Sequence, residues 1–138
     1  MIQFTDEMRE AIDNALSNGT PCIVATASAD GEPNVGFKGS VMAFDGSHLA
    51  YWERSRRTIL EHIEENPKVV VMYRDPSRRL AWRFYGDATV HRDGSVREQV
   101  MARVVQQELD RDPEREGFAI VIDVNRITTL GADVVQER

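Results

Sequence analysis

The chain has 138 residues, 41% of them hydrophobic and 29% charged, with a formal net charge of −6. That length suits one domain, 1–138, with one real core, and the balance excludes a disordered or fibrous protein. No apolar run nears the roughly 20 residues of a membrane span. The N-terminus lacks the basic and apolar regions of a signal peptide, and the one cysteine, Cys22, cannot form an internal disulfide. A cytoplasmic protein with no membrane partner is expected, and the acidic balance argues against a nucleic-acid partner.

The spacing of Met8, Ala11, Ile12, Ala15 and Leu16 predicts a helix over 6–17, capped by Thr5 and ended by Gly19. A strand over 21–29 turns at Asp30-Gly31 into a longer one over 33–44. That strand turns at Asp45-Gly46 into a third at 48–53. Asp-Gly pairs between alternating runs are strong hairpin signals. A helix follows, with Thr58 and Glu61 at capping-box spacing, Ile59, Leu60 and Ile63 facing a core, and Pro67 as terminator. KVVVMYR reads as a buried strand, DPSRR as a turn and 80–91 as a long strand. Ser95 and Glu98 form a second capping box, opening a helix to about Leu109, and 110–117 is a charged surface loop. Strands over 117–125 and 127–135 end the chain. Seven strands joined mainly as hairpins, with three helices inserted and no βαβ alternation, predict a mainly β fold. The economical solution is an antiparallel barrel with peripheral helices, because closure removes exposed edges.

Charge is unevenly spread. From Arg54 to Arg83, seven arginines and Lys68 face Glu61, Glu64, Glu65 and Asp75, a net of +4, so the remaining residues carry −10. Arg54, Arg56 and Arg57 crowd a helix start, where the macrodipole is already positive, so each is misplaced unless an anion sits among them. A basic island in an acidic chain fits a small anionic ligand better than a polyanion. The segment SRRT offers two guanidinium groups, two hydroxyls and free helix N–H groups, the grip that a phosphate monoester takes. The plain alternative is a solvated charged loop.

Other chemistries find no support. His48, His62 and His91 are isolated, EHIEE lacks the second histidine of HExxH, and GFKGS is neither a nucleophile elbow nor a P-loop. No catalytic residue and no metal site can be assigned, so difficult chemistry would have to come from a cofactor. Two further stretches fit one. In NVGFKGSVMAF, glycines flank Lys38 and Ser40 on one strand face, where a flat ring can approach the backbone. In SRRLAWRFYGDATV, arginines alternate with aromatics, a composition common around flat ligands as well as in ordinary cores.

In order and spacing these stretches resemble the pyridoxamine 5′-phosphate oxidase-related FMN-binding proteins. The resemblance covers about residues 7–130 and rests on the ADGEPNV hairpin followed by KGS, the basic segment before IEENPKV, and WRFYGDATV. It implies a six-stranded antiparallel Greek-key split barrel and a homodimer with FMN at the subunit interface. Residue by residue, it implies that Lys38, Gly39 and Ser40 line the flavin ring and that Trp52 neighbours the ring or ribityl chain. Arg56, Arg57 and Thr58 would hold the phosphate, with Ser55 or Arg54 helping. Arg79, Trp82 and Arg83 would sit where the second subunit reaches the flavin. The chain ends at Arg138, without the C-terminal segment through which the true oxidase contacts pyridoxal phosphate, so vitamin B6 oxidase activity is not implied. A flavin-dependent oxidoreductase acting on a small redox substrate is the expected function. The alternatives are an F420-dependent reductase on the same fold and a non-enzymatic module that uses the basic 54–83 region.

Overall fold

In the computed structural model, which describes residues 1–138, the N-terminal apolar stripe forms helix α1 (Asp6–Asp13). Thr5 caps it, its Oγ1 accepting from the Met8 N–H at 3.1 Å, and Gly19, at φ +73°, ends the turns that follow. Then come β1 (Cys22–Ala27), β2 (Pro33–Lys38), β3 (Met42–Ala43), β4 (His48–Glu53) and α2 (Thr58–Glu65). β5 (Lys68–Asp75), β6 (Leu80–His91), α3 (Gly94–Met101), α4 (Gln106–Leu109), β7 (Phe118–Thr128) and β8 (Val134–Glu137) complete the chain. No helix is long and apolar enough to cross a membrane.

Every strand pairing is antiparallel, in the order β2-β1-β5-β6-β7-β4-β3 with β8 beside β7. The sheet curls into a split barrel of six longer strands, with β3 and β8 as short additions. The expected 33–44 strand is broken at Gly39-Ser40. There the Ser40 hydroxyl leaves the ladder to accept from the Trp52 N–H at 2.9 Å and donate to the Trp52 carbonyl at 3.3 Å. The expected break between 125 and 127 is absent. Val124 and Ile127 are both fully buried, so β7 continues against β6, and a register shift at Tyr85/Gly86 absorbs the irregularity. The 95–109 helix is two helices, α3 and α4. Neither predicted capping box forms: Arg57 and Asp93 are the N-caps, without side-chain cap bonds, which places Thr58 and Ser95 inside the first turns.

The barrel interior holds a 25-residue apolar cluster that includes Ile12, Val24, Tyr51, Val71, Phe84 and Ile122. A second cluster of seven, Met42, Ala50, Trp52, Val100, Val104, Leu109 and Ala119, lies under α3 and α4. β4 is therefore buried on both faces: Leu49 and Tyr51 point into the barrel, Ala50 and Trp52 into the second cluster. Period-2 alternation turns Glu53 inward with Leu49 and Tyr51, and it is fully buried. Its Oε2 lies 2.9 Å from Lys38 Nζ at the end of β2, an ion pair that joins strands far apart in the sheet order.

Removing one partner of such a pair leaves a buried charge uncompensated, which costs about 3–5 kcal/mol. Lys38→Met should therefore lower unfolding free energy by about that amount in urea titrations. The double variant Lys38→Met/Glu53→Leu should lose much less than Lys38→Met alone, because it strands no charge.

Candidate functional site

Phe37, Lys38, Trp52, Glu53, Arg54, Ser55 and Glu108 line a cleft of about 220 Å³ at the mouth of the barrel. Three elements build it: the end of β2, the end of β4, and α4 folded back over both. Glu108 packs closely enough that a Cβ on Gly39 would meet its Cδ at 3.1 Å. Within the cleft the charges are matched. Lys38 is bound to Glu53, Ser55 Oγ donates to the same Glu53 oxygen at 2.9 Å, and Arg54 Nε lies 4.0 Å from Glu108.

Arg56 and Arg57 differ from these. Both are exposed, and neither has a carboxylate within ion-pair distance, although the Arg56 guanidinium lies 5.7 Å from the centre of the Phe118 ring. Arg56 also takes a left-handed backbone at φ +51°, a conformation that costs a non-glycine residue of order 1–3 kcal/mol and tends to mark functional sites. Arg57 opens α2 without a side-chain cap, so the first amides of that eight-residue helix have no side-chain acceptor. Two unmatched guanidinium groups beside an uncapped helix start, adjoining a charge-neutral cleft, suit a phosphate dianion.

Of the residues singled out in the sequence, Lys38, Trp52 and Ser55 line the cleft, and Arg56, Arg57 and Thr58 continue from its rim. Gly39 and Ser40 stand behind it, the Ser40 hydroxyl fully engaged with the Trp52 backbone. Trp52 is a wall more than a free donor: it is 2% exposed, its Nε1–H donates to Asp112 Oδ2 at 2.8 Å, and Arg97 stacks on it at 4.9 Å. The other three lie elsewhere in the chain. Arg79 sits in the β5–β6 turn at φ +56°. Trp82 packs in the barrel core against Tyr73. Arg83 donates to the carbonyls of Thr129 and Leu130. Glu53, Glu108 and Asp112 are not among the residues that the sequence singles out. Strand alternation alone would have turned Glu53 inward, whereas Glu108 and Asp112 reach Arg54 and Trp52 only through the return of the 102–117 segment.

The outer face of β2, β1 and β5 is apolar. Val35 and Phe37 are 62% and 70% exposed, beside partly buried Ile23, Ala25, Val70 and Met72. Arg83 pairs with Met72 in the ladder and lies on this face.

Comparison with known proteins places this geometry in context. Residues 5–130 match the pyridoxamine 5′-phosphate oxidase family. An uncharacterized protein of Methanocaldococcus jannaschii is 26% identical over 132 residues, covering 94% of this chain and 83% of the relative. The crystal structure of HupZ from Group A Streptococcus is 27% identical, with a TM-score of 0.75 over 95% of this chain and 97% of that one. An FMN-binding protein from Syntrophomonas wolfei shares the fold at 12% identity, with a TM-score of 0.69 over 90% of this chain and 86% of that one.

Asp112 ties the 102–117 segment to the wall of the cleft. Burial pushes its carboxyl up, but the Glu116 N–H, the Trp52 indole and the Gly117 N–H outweigh burial and hold it below the usual aspartate range. A depressed carboxylate contributes stability that is complete above its unfolded value of about 3.9 and is lost as pH falls through the lower folded value. In a Trp82→Phe background, Trp52 fluorescence should stay constant from neutral pH to about pH 4 and shift only below it. Asp112→Asn should already show the shifted spectrum at pH 7.

Proposed function

The chain belongs to the pyridoxamine 5′-phosphate oxidase family, and from that premise we propose that it binds FMN and serves as a flavin-dependent oxidoreductase. The observation that carries the proposal is the charge balance of the site. Lys38 and Arg54 are each matched by a carboxylate, while Arg56 and Arg57 are left unmatched at an uncapped helix start. In this reading Arg56 and Arg57 grip the phosphate through charge-assisted bonds, and the Thr58 hydroxyl and the first amides of α2 complete the cradle. Lys38 and Trp52 wall the cleft that leads from the phosphate site to the ring, and Ser40, behind that wall with Gly39, fixes it by holding the Trp52 backbone. Bound FMN supplies the electron-transfer chemistry that no side-chain constellation of this chain offers. The chain's own part is to bind, to orient and to shield.

The proposal extends to a homodimer. The cleft falls short of the roughly 300–1,000 Å³ of sites that enclose a whole ligand. The ring must then lie at the mouth, next to Phe37, where a second copy can cover it. The exposed apolar face beside that mouth supports this arrangement, because such patches mark interfaces. Arg79 and Arg83 of the second copy would approach the ring from that side.

Arg57→Ala should weaken FMN binding about 10- to 100-fold, the equivalent of roughly 1.5–3 kcal/mol for a bond to a charged group. Riboflavin, with no phosphate, should be nearly insensitive, and Arg138→Ala, whose guanidinium pairs with Asp123 at the other end of β4, should leave both unchanged. Arg56→Gly separates the backbone from the charge: it should leave unliganded stability equal or raised, because the left-handed strain is relieved, yet weaken FMN binding. Fluorescence quenching of each flavin reads these effects, and equal losses for FMN and riboflavin would refute the phosphate role. An F420-dependent reductase would instead bind F420 more tightly than FMN in the same titration.

Light scattering should give a dimer at micromolar concentration. Phe37→Asp should yield a folded monomer, since the ring is mostly exposed in one protomer, and should weaken FMN binding as well. A stable monomer that binds FMN at full affinity would overturn the shared-site arrangement.

A further inference from the structure

On the far side of Phe37 from the cleft lies a second hollow, the largest in the chain at about 370 Å³. Strand alternation builds it. Phe37, Ile23 and Met72 stand side by side across β2, β1 and β5, and Arg74 follows Met72 on the same face. Pro21, just before β1, and Pro76, just after β5, close the end beside Arg74. Arg74 is exposed and has no carboxylate within ion-pair distance, whereas its neighbour Arg78 is held by Asp75 and Glu10. The other hollows outside the cleft lack such a free cation. Lys68, at the one of about 280 Å³, is opposed by Asp87 at 3.8 Å. Arg103, at the one of about 300 Å³, spends its guanidinium on the carbonyls of Ala43 and Phe44.

We propose that this hollow is the substrate pocket of the flavin site and takes a small organic acid, its apolar body on Ile23 and Met72 and its carboxylate on Arg74. The inference rests on the FMN reading and deepens it by naming the substrate class. Phe37 lines both the cleft and the hollow, so a ring at the mouth of the cleft comes to the edge of the hollow. A volume of about 370 Å³ falls within the roughly 300–1,000 Å³ of small-molecule sites. The lining decides the chemistry. Ile23 and Met72 offer no hydrogen-bonding side chain, and the Thr20 hydroxyl at the edge is engaged with Tyr73 and the Ala15 carbonyl. A polyol would lose its hydration there with little in return. A cation would meet the charge of Arg74, and a neutral apolar molecule would leave that charge unmatched. A carboxylate fits the guanidinium fork. The second copy that covers the apolar face would roof the hollow and, by excluding water, strengthen that pair.

The test uses phenylpropionate and its amide, which match in shape and differ in charge. Calorimetry measures both on the FMN-loaded protein, and the visible spectrum of the flavin is followed in the same titration. The wild-type protein should bind the acid about fivefold or more tightly than the amide, fivefold being the upper end for an exposed ion pair. Arg74→Gln should erase that preference, and Arg74→Lys should restore part of it. The acid should also shift the flavin absorption at the concentrations at which calorimetry sees it bind. Equal affinity for acid and amide would overturn the inference, as would a preference that survives in Arg74→Gln or no binding of the acid at millimolar concentration. Binding that leaves the flavin spectrum unchanged would overturn the substrate role, because the hollow would then lie away from the ring. Failure of the FMN reading itself looks different: the protein would take up no flavin, whatever calorimetry reports for the acid on the flavin-free chain.

Discussion

The ion pair between Lys38 and Glu53 is the constraint on which the rest of the site depends. A carboxylate at zero exposure is tolerated only with a matching cation and hydrogen bonds, and Lys38 and Ser55 supply them. Because Lys38 ends β2 and Glu53 ends β4, that requirement pulls together two strands that lie far apart in the sheet order. The cleft exists where they meet. Ser55, held by Glu53, fixes the start of the basic loop, Arg54 turns to Glu108, and only Arg56 and Arg57 remain without a counter-charge. One buried ion pair thus stands at the root of a cleft whose charges are matched, with the two unpaired arginines of the loop beside it.

Local signals are legible in the sequence wherever the chain's own neighbours decide its conformation. Thr5 caps α1, and the Asp30-Gly31 and Asp45-Gly46 turns join the strands on either side of them. Pro67 follows α2 one residue beyond its end, after the C-cap Asn66. The basic island is legible from the spacing of charges alone, as an excess of arginine in an acidic chain. The departures share a cause in long-range contacts. Thr58 and Ser95 have the spacing of capping residues, but packing sets the helix starts earlier. Asn125 and Arg126 look like a turn, yet burial of Val124 and Ile127 carries β7 straight through them.

The same cause explains what the sequence hides in the site. Residues 110–117 have the composition of a charged surface loop, yet Asp112 is 8% exposed because the loop folds back to the indole of Trp52. Trp52, which the family resemblance places beside a ligand, has its indole in a second apolar cluster, which exists only because α3 and α4 cover the outer face of β4. Glu53 is hidden by its neighbours, sitting in a run that reads as basic, WERSRR. Only the inward alternation from Leu49 through Tyr51 marks it as interior.

In the proposed role the side chains at the cleft bind and shield, and none forms an arrangement that would carry a redox step alone, so the account stands or falls on the cofactor. The most direct measurement is the visible absorption spectrum of the freshly purified protein, followed by identification of any chromophore released on denaturation. The account predicts flavin absorption and release of FMN at close to one molecule per chain. A colourless protein that stays colourless after incubation with excess FMN and removal of the unbound flavin would contradict it, and Arg56 and Arg57 would then be residues of a solvated loop.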